Sequence, residues 1–206
     1  LVHGYTLREI LDYRERYDLT QLINVIVQVS HALEYAHAHR VIHRDIKPEN
    51  ILVGPFGEVL LLDWGLAKVW NPDGTHDEPE PEGTKSILNK KVTSMTDTEK
   101  LQGTIAYMSP EQLNRDPNID FRTDIFSLGV ILYEILTGQL PANGETIGEL
   151  SNKILEETPA KPSSISRVAI PELLENVTMR CLNKSVKDRL PSCAELVRLL
   201  EEDWGK

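Results

Sequence analysis

The chain has 206 residues, a hydrophobic content of 40% and a formal net charge of −10, which favours one domain with a sizeable core. The acidic balance argues against nucleic acid or an anionic membrane as a main partner. No apolar run approaches the roughly 18 residues of a membrane span, and the N-terminus is no signal peptide. The two cysteines, Cys181 and Cys193, lack C-x-x-C spacing, so a reducing, cytoplasmic environment is expected.

Capping-box spacing, with Glu or Gln three residues after the cap, predicts helix starts at Thr6 and Asp18. The first helix is expected to run to about Arg16. The second is longer, and its apolar stripe predicts burial along its length. That stripe consists of Leu19, Leu22, Ile23, Val25, Ile26, Val29, Leu33 and Ala36. His37 and His39 follow at its end, and we interpret them as cations near the helix dipole rather than as metal ligands.

Short strands are predicted after this helix. Val41-Ile42 forms one, and residues 51–53 and 58–62 form two more around a Gly/Pro turn. Two short strands joined in this way indicate a hairpin. The hairpin would place Asn50 and Asp63 at neighbouring strand ends, facing one solvent-open edge.

The composition changes between residues 71 and 100. The first part of this stretch is rich in Pro, Gly, Asp and Glu, and apolar residues stay sparse up to Lys100. The pattern predicts a mobile loop. It is not a domain linker, because a core-forming pattern resumes after it, so residues 1–206 are expected to form a single domain.

The remainder of the chain is predicted to be helical. Ser109 caps a short helix with proline in its first turn. Residues 124–136 are apolar nearly all round, which predicts a central core helix that ends at Gly138. Further starts are signalled by a proline or a capping box: Thr146 for about 146–157, Pro171 for a helix to about Leu182, and Ser192 for about 192–203. The predicted fold class is α+β, mainly helical, with one small β-hairpin.

The stretch His43-Arg44-Asp45-Ile46-Lys47-Pro48-Glu49-Asn50 carries a base, two cations and an amide at fixed offsets. Pro48 interrupts any helix, so a loop with outward polar groups is expected. The stretch has the form H-R-D-x-x-x-x-N, and on this motif the chain resembles a protein kinase at its catalytic loop. The run from Lys47 to Asn50 resembles the serine/threonine type.

Two further motifs follow in order. Asp63-Trp64-Gly65 resembles the kinase D-F-G motif, and Ser109-Pro110-Glu111 resembles A-P-E. The residues around both look most like bacterial-type kinases. The resemblance makes residues 63–111 the activation segment, longer than expected, with a mobile insert at about 71–100. Trp64 stands where phenylalanine is expected, and its N–H needs a partner if the ring is buried.

The resemblance implies roles for five residues near the catalytic loop. Phosphoryl transfer depends on positioned groups and cations more than on covalent chemistry. Asp45 would accept the proton of the substrate hydroxyl, and Lys47 would neutralise the γ-phosphoryl group. Asn50 and Asp63 would hold Mg²⁺, which prefers such oxygen ligands. Leu52 would form the floor beneath the adenine of ATP.

Other residues receive supporting roles from the same resemblance. Thr104 would contact the catalytic Asp and Lys and belong to the substrate platform. His43 and Asp124 would be structural, with Asp124 holding the backbone of the catalytic loop. Glu111 would form a buried ion pair with Arg189.

Arg44 directly precedes the catalytic Asp, and an arginine there can receive a phosphate from the activation segment. We therefore predict phosphorylation between residues 84 and 98. The candidates are Thr84, Ser86, Thr93, Ser94, Thr96 and Thr98, of which the last four are favoured because they lie nearer Gly103.

A complete kinase also has a small lobe with a Gly-rich loop, a strand lysine and a helix glutamate. Here the catalytic loop begins at residue 43, no G-x-G exists anywhere, and no V-A-I-K precedes the loop. The expectation is therefore a large C-terminal lobe with the small N-terminal lobe absent from this chain, weakly active or inactive by itself.

The resemblance implies a serine/threonine protein kinase that uses ATP and Mg²⁺ and acts on a protein substrate. Two alternatives stay open. One is a kinase-derived binding or scaffold module without catalysis, which the missing small lobe favours. The other is a small-molecule phosphotransferase of the same fold, against which Thr104 and the A-P-E-like segment argue, because they resemble a peptide-docking platform.

Overall fold

The computed structural model describes residues 4–70 and 101–203. The helices are α1 (Leu7–Leu11), α2 (Leu19–Ala38), α3 (Pro110–Leu113), α4 (Arg122–Thr137), α5 (Ile147–Glu156), α6 (Pro162–Ile165), α7 (Glu172–Cys181) and α8 (Cys193–Arg198). The strands are β1 (Tyr5–Thr6), β2 (Val41–Ile42), β3 (Ile51–Val53), β4 (Val59–Leu61) and β5 (Lys68–Val69). Short 3₁₀ turns cover Arg14–Arg16, Pro48–Asn50, Trp64–Leu66 and Val186–Asp188, a helical turn covers 101–105, and a π-helical turn covers Leu199–Asp203. The mainly helical class predicted from the sequence agrees with this order.

Side-chain caps explain where three of the helices begin. Thr6 and Asp18 accept hydrogen bonds from backbone N–H groups in the first turns of α1 and α2, and the third helical residue binds back to the cap in each. Ser109 and Gln112 make the same reciprocal arrangement at α3. These bonds satisfy donors that have no partner inside the helix, so the predicted starts are confirmed.

The full capping boxes predicted at Thr146 and Ser192 are wrong. Each hydroxyl does accept the expected backbone hydrogen bond, at 3.1 Å in both cases. The glutamates do not reach back, however, because Glu149 accepts from the N–H of Glu145 and Glu195 binds Arg198. The regular α8 also ends at Arg198, earlier than expected.

The first helix is shorter than predicted because tertiary contacts take over after Leu11. Arg14 donates from Nη1 to the carbonyl of Ile135 at 2.6 Å, near the end of α4. The chain there forms a 3₁₀ turn instead of continuing α1. A contact between distant segments therefore overrides the local helical preference.

The core is built around α4, in which every residue from Thr123 to Thr137 is buried, as its apolar pattern predicted. Gly129 allows α7 to pack closely, since a Cβ there would lie 2.5 Å from the Cβ of Cys181. Cys181 and Cys193 are free and buried, and burial raises the pKa of Cys181 to about 12. None of the helices in the described ranges is long and apolar enough to cross a membrane.

Two small antiparallel sheets flank the loop at residues 43–50. One has the strand order β1-β3-β4, with Ile51 opposite Leu61, and the other pairs β2 with β5. The predicted hairpin is therefore present, and it brings Asn50 and Asp63 to neighbouring strand ends. The strands β1 and β5 were not predicted; each is defined by its pairing with a distant strand, β1 with β3 and β5 with β2.

Candidate active site

The segment from His43 to Asn50 is held from beneath by a carboxylate of α4. Asp124 accepts the backbone N–H of Arg44 at Oδ1 and that of His43 at Oδ2, both at 2.9 Å. All three residues are buried, where charge-assisted hydrogen bonds are strong. The contact predicted for Asp124 is present. The expectation of outward polar groups is wrong for His43, Arg44, Asp45 and Asn50, which are buried, and holds for Glu49, which is exposed.

His37, in the last turn of α2, is a third partner of Asp124, a contact that its interpretation as a cation near the helix dipole did not include. Its Nε2 lies 2.8 Å from Oδ2 of Asp124, and its side chain is 5% exposed. His39 instead contacts the carbonyl of Tyr35 and stays exposed. The sequence contained a signal for the burial of His37, since this residue lies four positions after the buried Leu33, on the same face of the helix. Within residues 4–70 and 101–203, no group of three or more His, Cys, Asp or Glu could hold a metal ion.

The structure brings together four residues that the sequence singled out. Lys47 Nζ lies 3.0 and 2.9 Å from the two carboxylate oxygens of Asp45, and 3.3 Å from the hydroxyl of Thr104. Asn50 donates from Nδ2 to the carbonyl and to Oδ2 of Asp45, both at 2.9 Å. Asp45 is thus fixed by a cation and an amide, and Lys47 links the loop to the segment that contains Thr104.

Asp63 lies at the end of the hairpin and, unlike Asp45, is not buried. It is exposed, and its backbone is left-handed, with φ 59° and ψ 69°. Aspartate tolerates this conformation better than most residues. Its side chain accepts the N–H of Gly65 at 3.3 Å. Among the described residues the Asp63 carboxylate thus has a weak local partner, and its exposure leaves it accessible to a further ligand.

Trp64 is not closed into an apolar slot, because it is 40% exposed. Its Nε1 donates to the carbonyl of Leu61 at 3.2 Å, so the indole N–H has a hydrogen-bond partner. Its ring packs edge-on against His43, with ring centroids 4.6 Å apart. His43 also contacts the carbonyl of Leu62 at 3.0 Å, so it joins the loop to the segment around Asp63.

Leu52 and Arg44, to which the resemblance also gave roles, lie outside the Asp45–Lys47–Asn50–Thr104 cluster. Leu52 lies on the central strand β3, opposite Thr6 and Leu60, and is half-buried. Arg44 is buried with a positive φ of 70°, and Gln112 donates from Nε2 to its carbonyl at 2.8 Å. The phosphosite candidates Thr84, Ser86, Thr93, Ser94, Thr96 and Thr98 and the proposed insert at 71–100 lie outside the described residues.

The ion pair predicted between Glu111 and Arg189 is present. The two nitrogens Nη1 and Nη2 of Arg189 bind the two carboxylate oxygens at 2.5 and 2.7 Å. The Arg189 side chain is fully buried and that of Glu111 is 9% exposed. Arg189 Nε donates to the carbonyl of Asn183, and the guanidinium stacks over Phe126. Two-point pairing of this kind is geometrically specific.

Sequence reasoning missed a second arginine cluster, formed by Arg8 with Glu49, Tyr107 and Glu134. Arg8 Nη1 donates to Glu134 at 2.6 Å and Nε donates to Glu49 at 3.0 Å. Burial alone would lower the pKa of Arg8, but the hydrogen bond to Glu134 and its charge raise it above the ordinary value. Burial and the same carboxylate raise the pKa of Tyr107, which keeps its hydroxyl protonated.

These features define a class of protein. The family model of the protein kinase domain matches residues 1–204, and the chain belongs to this family. Among curated relatives, serine/threonine-protein kinase PknD of Protochlamydia amoebophila is 38% identical over 196 residues, which cover 94% of this chain and 19% of that protein.

Other relatives bear similar names. The probable serine/threonine-protein kinase PknB of Lactococcus lactis is 32% identical over 197 residues, 95% of this chain and 28% of that protein. Serine/threonine-protein kinase PknB of Mycolicibacterium smegmatis is 33% identical over 195 residues, with the same two shares. By this resemblance the chain is of the bacterial serine/threonine kinase type. It spans less than a third of the length of each of these relatives.

Proposed function

We propose that residues 1–206 form the large C-terminal lobe of a serine/threonine protein kinase. In the whole protein this lobe would transfer the γ-phosphoryl group of ATP to a Ser or Thr hydroxyl of a protein substrate. The observation that carries the proposal is the cluster of Asp45, Lys47, Asn50 and Thr104, in which one carboxylate is fixed by two partners, Lys47 and Asn50, and Lys47 also contacts Thr104.

Asp45 is proposed as the base that accepts the proton of the substrate hydroxyl. Lys47 and Asn50 hold its carboxylate in one orientation, and such positioning supplies much of the rate in phosphoryl transfer. Lys47 is also placed to neutralise the transferred group, because its ammonium lies within hydrogen-bond distance of both Asp45 and Thr104. One cation can therefore serve the base and the phosphoryl group together.

Asn50 and Asp63 are proposed to hold Mg²⁺, with Leu52 beneath the adenine. The donor set fits the ion: the Nδ2 of Asn50 is used by Asp45, which leaves an amide oxygen, and Asp63 offers an exposed carboxylate. Hard cations prefer such oxygens. When bound, Mg²⁺ would neutralise charge on the phosphates. No G-x-G motif occurs in the chain, so we expect it to bind nucleotide weakly by itself.

A protein substrate is favoured over a small molecule by the segment from Thr104 to Glu111. Its two ends are anchored, by Lys47 at Thr104 and by Arg189 at Glu111. A fixed segment beside the base can act as a platform for an extended peptide. The phosphosite candidates between residues 84 and 98 belong to the same proposal, since added phosphate would meet arginines such as Arg44.

The test is phosphoryl transfer by the full-length protein with Mg-ATP and a generic protein substrate. We expect phosphate on Ser or Thr, and intact-mass analysis should find phosphate within residues 84–98 of the active protein. The absence of transfer under conditions where nucleotide raises the melting temperature would overturn the proposal and favour the non-catalytic scaffold.

A further inference from the structure

Arg8 is bound by side chains from three separate parts of the chain. Its Nε donates to Glu49, Nη1 donates to Glu134 Oε1 at 2.6 Å, and Nη2 donates to Glu134 Oε2 at 3.2 Å. Nη2 also donates to the hydroxyl of Tyr107, which in turn donates to Glu134 Oε2 at 2.6 Å. Each of the three guanidinium nitrogens therefore donates at least one hydrogen bond.

This cluster borders the place where a substrate hydroxyl would approach Asp45. Glu49 lies in the 3₁₀ turn between Lys47 and Asn50. On the other side, the N–H of Tyr107 binds the carbonyl of Thr104 at 3.2 Å. The cluster thus touches both the catalytic loop and the platform.

The cluster can also be reached from solvent. The side chain of Glu49 is 48% exposed and that of Arg8 is 28% exposed, whereas that of Glu134 is 12% exposed. A residue of a bound peptide next to the acceptor would therefore meet this surface. Glu134 provides its buried end and Glu49 its open end.

Two carboxylates that converge on one point need a cation, since like charges there disfavour each other. A peptide arginine could supply it, because a guanidinium matches carboxylates with two parallel hydrogen bonds. In this chain Arg8 already fills the position from α1. An incoming arginine would have to displace an internal arginine that makes four hydrogen bonds to Glu49, Tyr107 and Glu134.

Resting on the proposed kinase function, we propose that Arg8 is a specificity-determining residue. It is an internal cation that closes the Glu49–Glu134 site and makes the enzyme indifferent to basic residues beside the acceptor. The substrate class is therefore peptides that are selected without regard to Arg or Lys at the flanking position that faces this cluster. Removal of Arg8 opens an acidic subsite, and the preference turns toward arginine.

The experiment compares matched acceptor peptides that carry Arg or Gln at each flanking position, at about 0.15 M salt so that distant charges are screened. The full-length wild type is expected to show kcat/KM values within about twofold for each pair, well below the effect of one hydrogen bond to a charged group. R8A is expected to prefer Arg about tenfold or more at one position, through KM rather than kcat. R8K should keep the wild-type profile, and R8A/E134Q should lose the new preference.

A binding readout separates this inference from the proposed function. Methylguanidinium should raise the melting temperature of R8A more than that of wild type. The increase should be smaller for R8A/E134Q than for R8A. If no variant phosphorylates any peptide, the proposed function fails, and this measurement alone decides the role of Arg8. A wild type that prefers Arg more than about fivefold at any position contradicts the inference, whether or not R8A folds. An R8A profile equal to wild type in both readouts also contradicts it.

Discussion

The loop from His43 to Asn50 and the hairpin end that carries Asp63 are neighbours, yet they are held in opposite ways. The loop is packed on the core, with two backbone N–H groups bound to Asp124 and the Asp45 carboxylate bound to Lys47 and Asn50. Asp63 is exposed and, within residues 4–70 and 101–203, accepts a hydrogen bond from the next residue but one, Gly65.

The difference separates two kinds of proposed catalytic group. The chain itself orients the proposed base, Asp45, since its partners Lys47 and Asn50 are within this fold. The proposed metal carboxylate, Asp63, would be oriented by the ligand that it binds. Changes in the loop should therefore affect chemistry or folding, whereas a change at Asp63 should affect binding.

The largest effect should come from Asp45→Asn in the full-length protein. An amide cannot accept the proton, so phosphoryl transfer should fall by about 10²–10⁴-fold, while nucleotide affinity changes little. Steady-state kinetics with a nucleotide titration measures both. Asp12→Asn, at an exposed position, is the matched control and should leave both unchanged. Wild-type turnover in Asp45→Asn would show that another residue is the base.

Arg189→Ala tests whether burial also fixes the far end of the platform. It leaves the carboxylate of Glu111 buried and unpaired, which should lower the free energy of unfolding by about 3–5 kcal/mol. Urea denaturation of the chain measures this. The control is Arg198→Ala, whose partner Glu195 is on the surface, with an expected cost below about 1 kcal/mol. Equal midpoints for the two variants would mean that the buried pair contributes no more than a surface pair.

Asp124→Asn tests whether the carboxylate beneath the loop is needed to hold its backbone. The amide keeps one acceptor oxygen but turns an NH₂ group toward a backbone donor of the loop or toward His37. An unsatisfied buried donor costs about 1–3 kcal/mol, so both stability and transfer should decrease. Asp120→Asn is the control, because Asp120 pairs with Arg122 nearer the surface. If Asp124→Asn matched the control in urea denaturation, the anchoring of the loop would not depend on this carboxylate.

Asp63→Asn should have the smallest effect on folding, and its effect should appear in binding. Asparagine tolerates the left-handed backbone, and an exposed substitution changes stability by no more than about 0.5 kcal/mol. The affinity for Mg-nucleotide should fall about tenfold or more, which corresponds to about 1.4 kcal/mol. Calorimetric titration of the full-length protein measures this. Unchanged affinity would remove Asp63 from the proposed metal site.

Local patterns were sufficient for the helix starts at Thr6, Asp18 and Ser109, and for the hairpin between Asn50 and Asp63. They succeeded because each depends on residues within a few positions of one another, where a cap or a turn forms regardless of the rest of the chain. The pair of Glu111 and Arg189 was predicted from the family resemblance, and no local pattern contains it.

The tertiary structure decided the partners of His37 and Arg8. His37 is 87 residues from Asp124, and Arg8 is 126 residues from Glu134. From the sequence, His37 was interpreted as a cation near the dipole at the end of its helix, and no role was assigned to Arg8. Only the packing of α1 and α2 against α4 brings these charges together.

What the sequence by itself determined is therefore the order of elements, the family motifs and the candidate residues of the loop. What only the tertiary structure decided is which polar groups are paired, and so whether the loop residues face inward and whether the Glu49–Glu134 site is open. The physical reason is that a buried polar group must find a partner wherever the fold supplies one. That partner is set by contact in space and not by spacing along the chain.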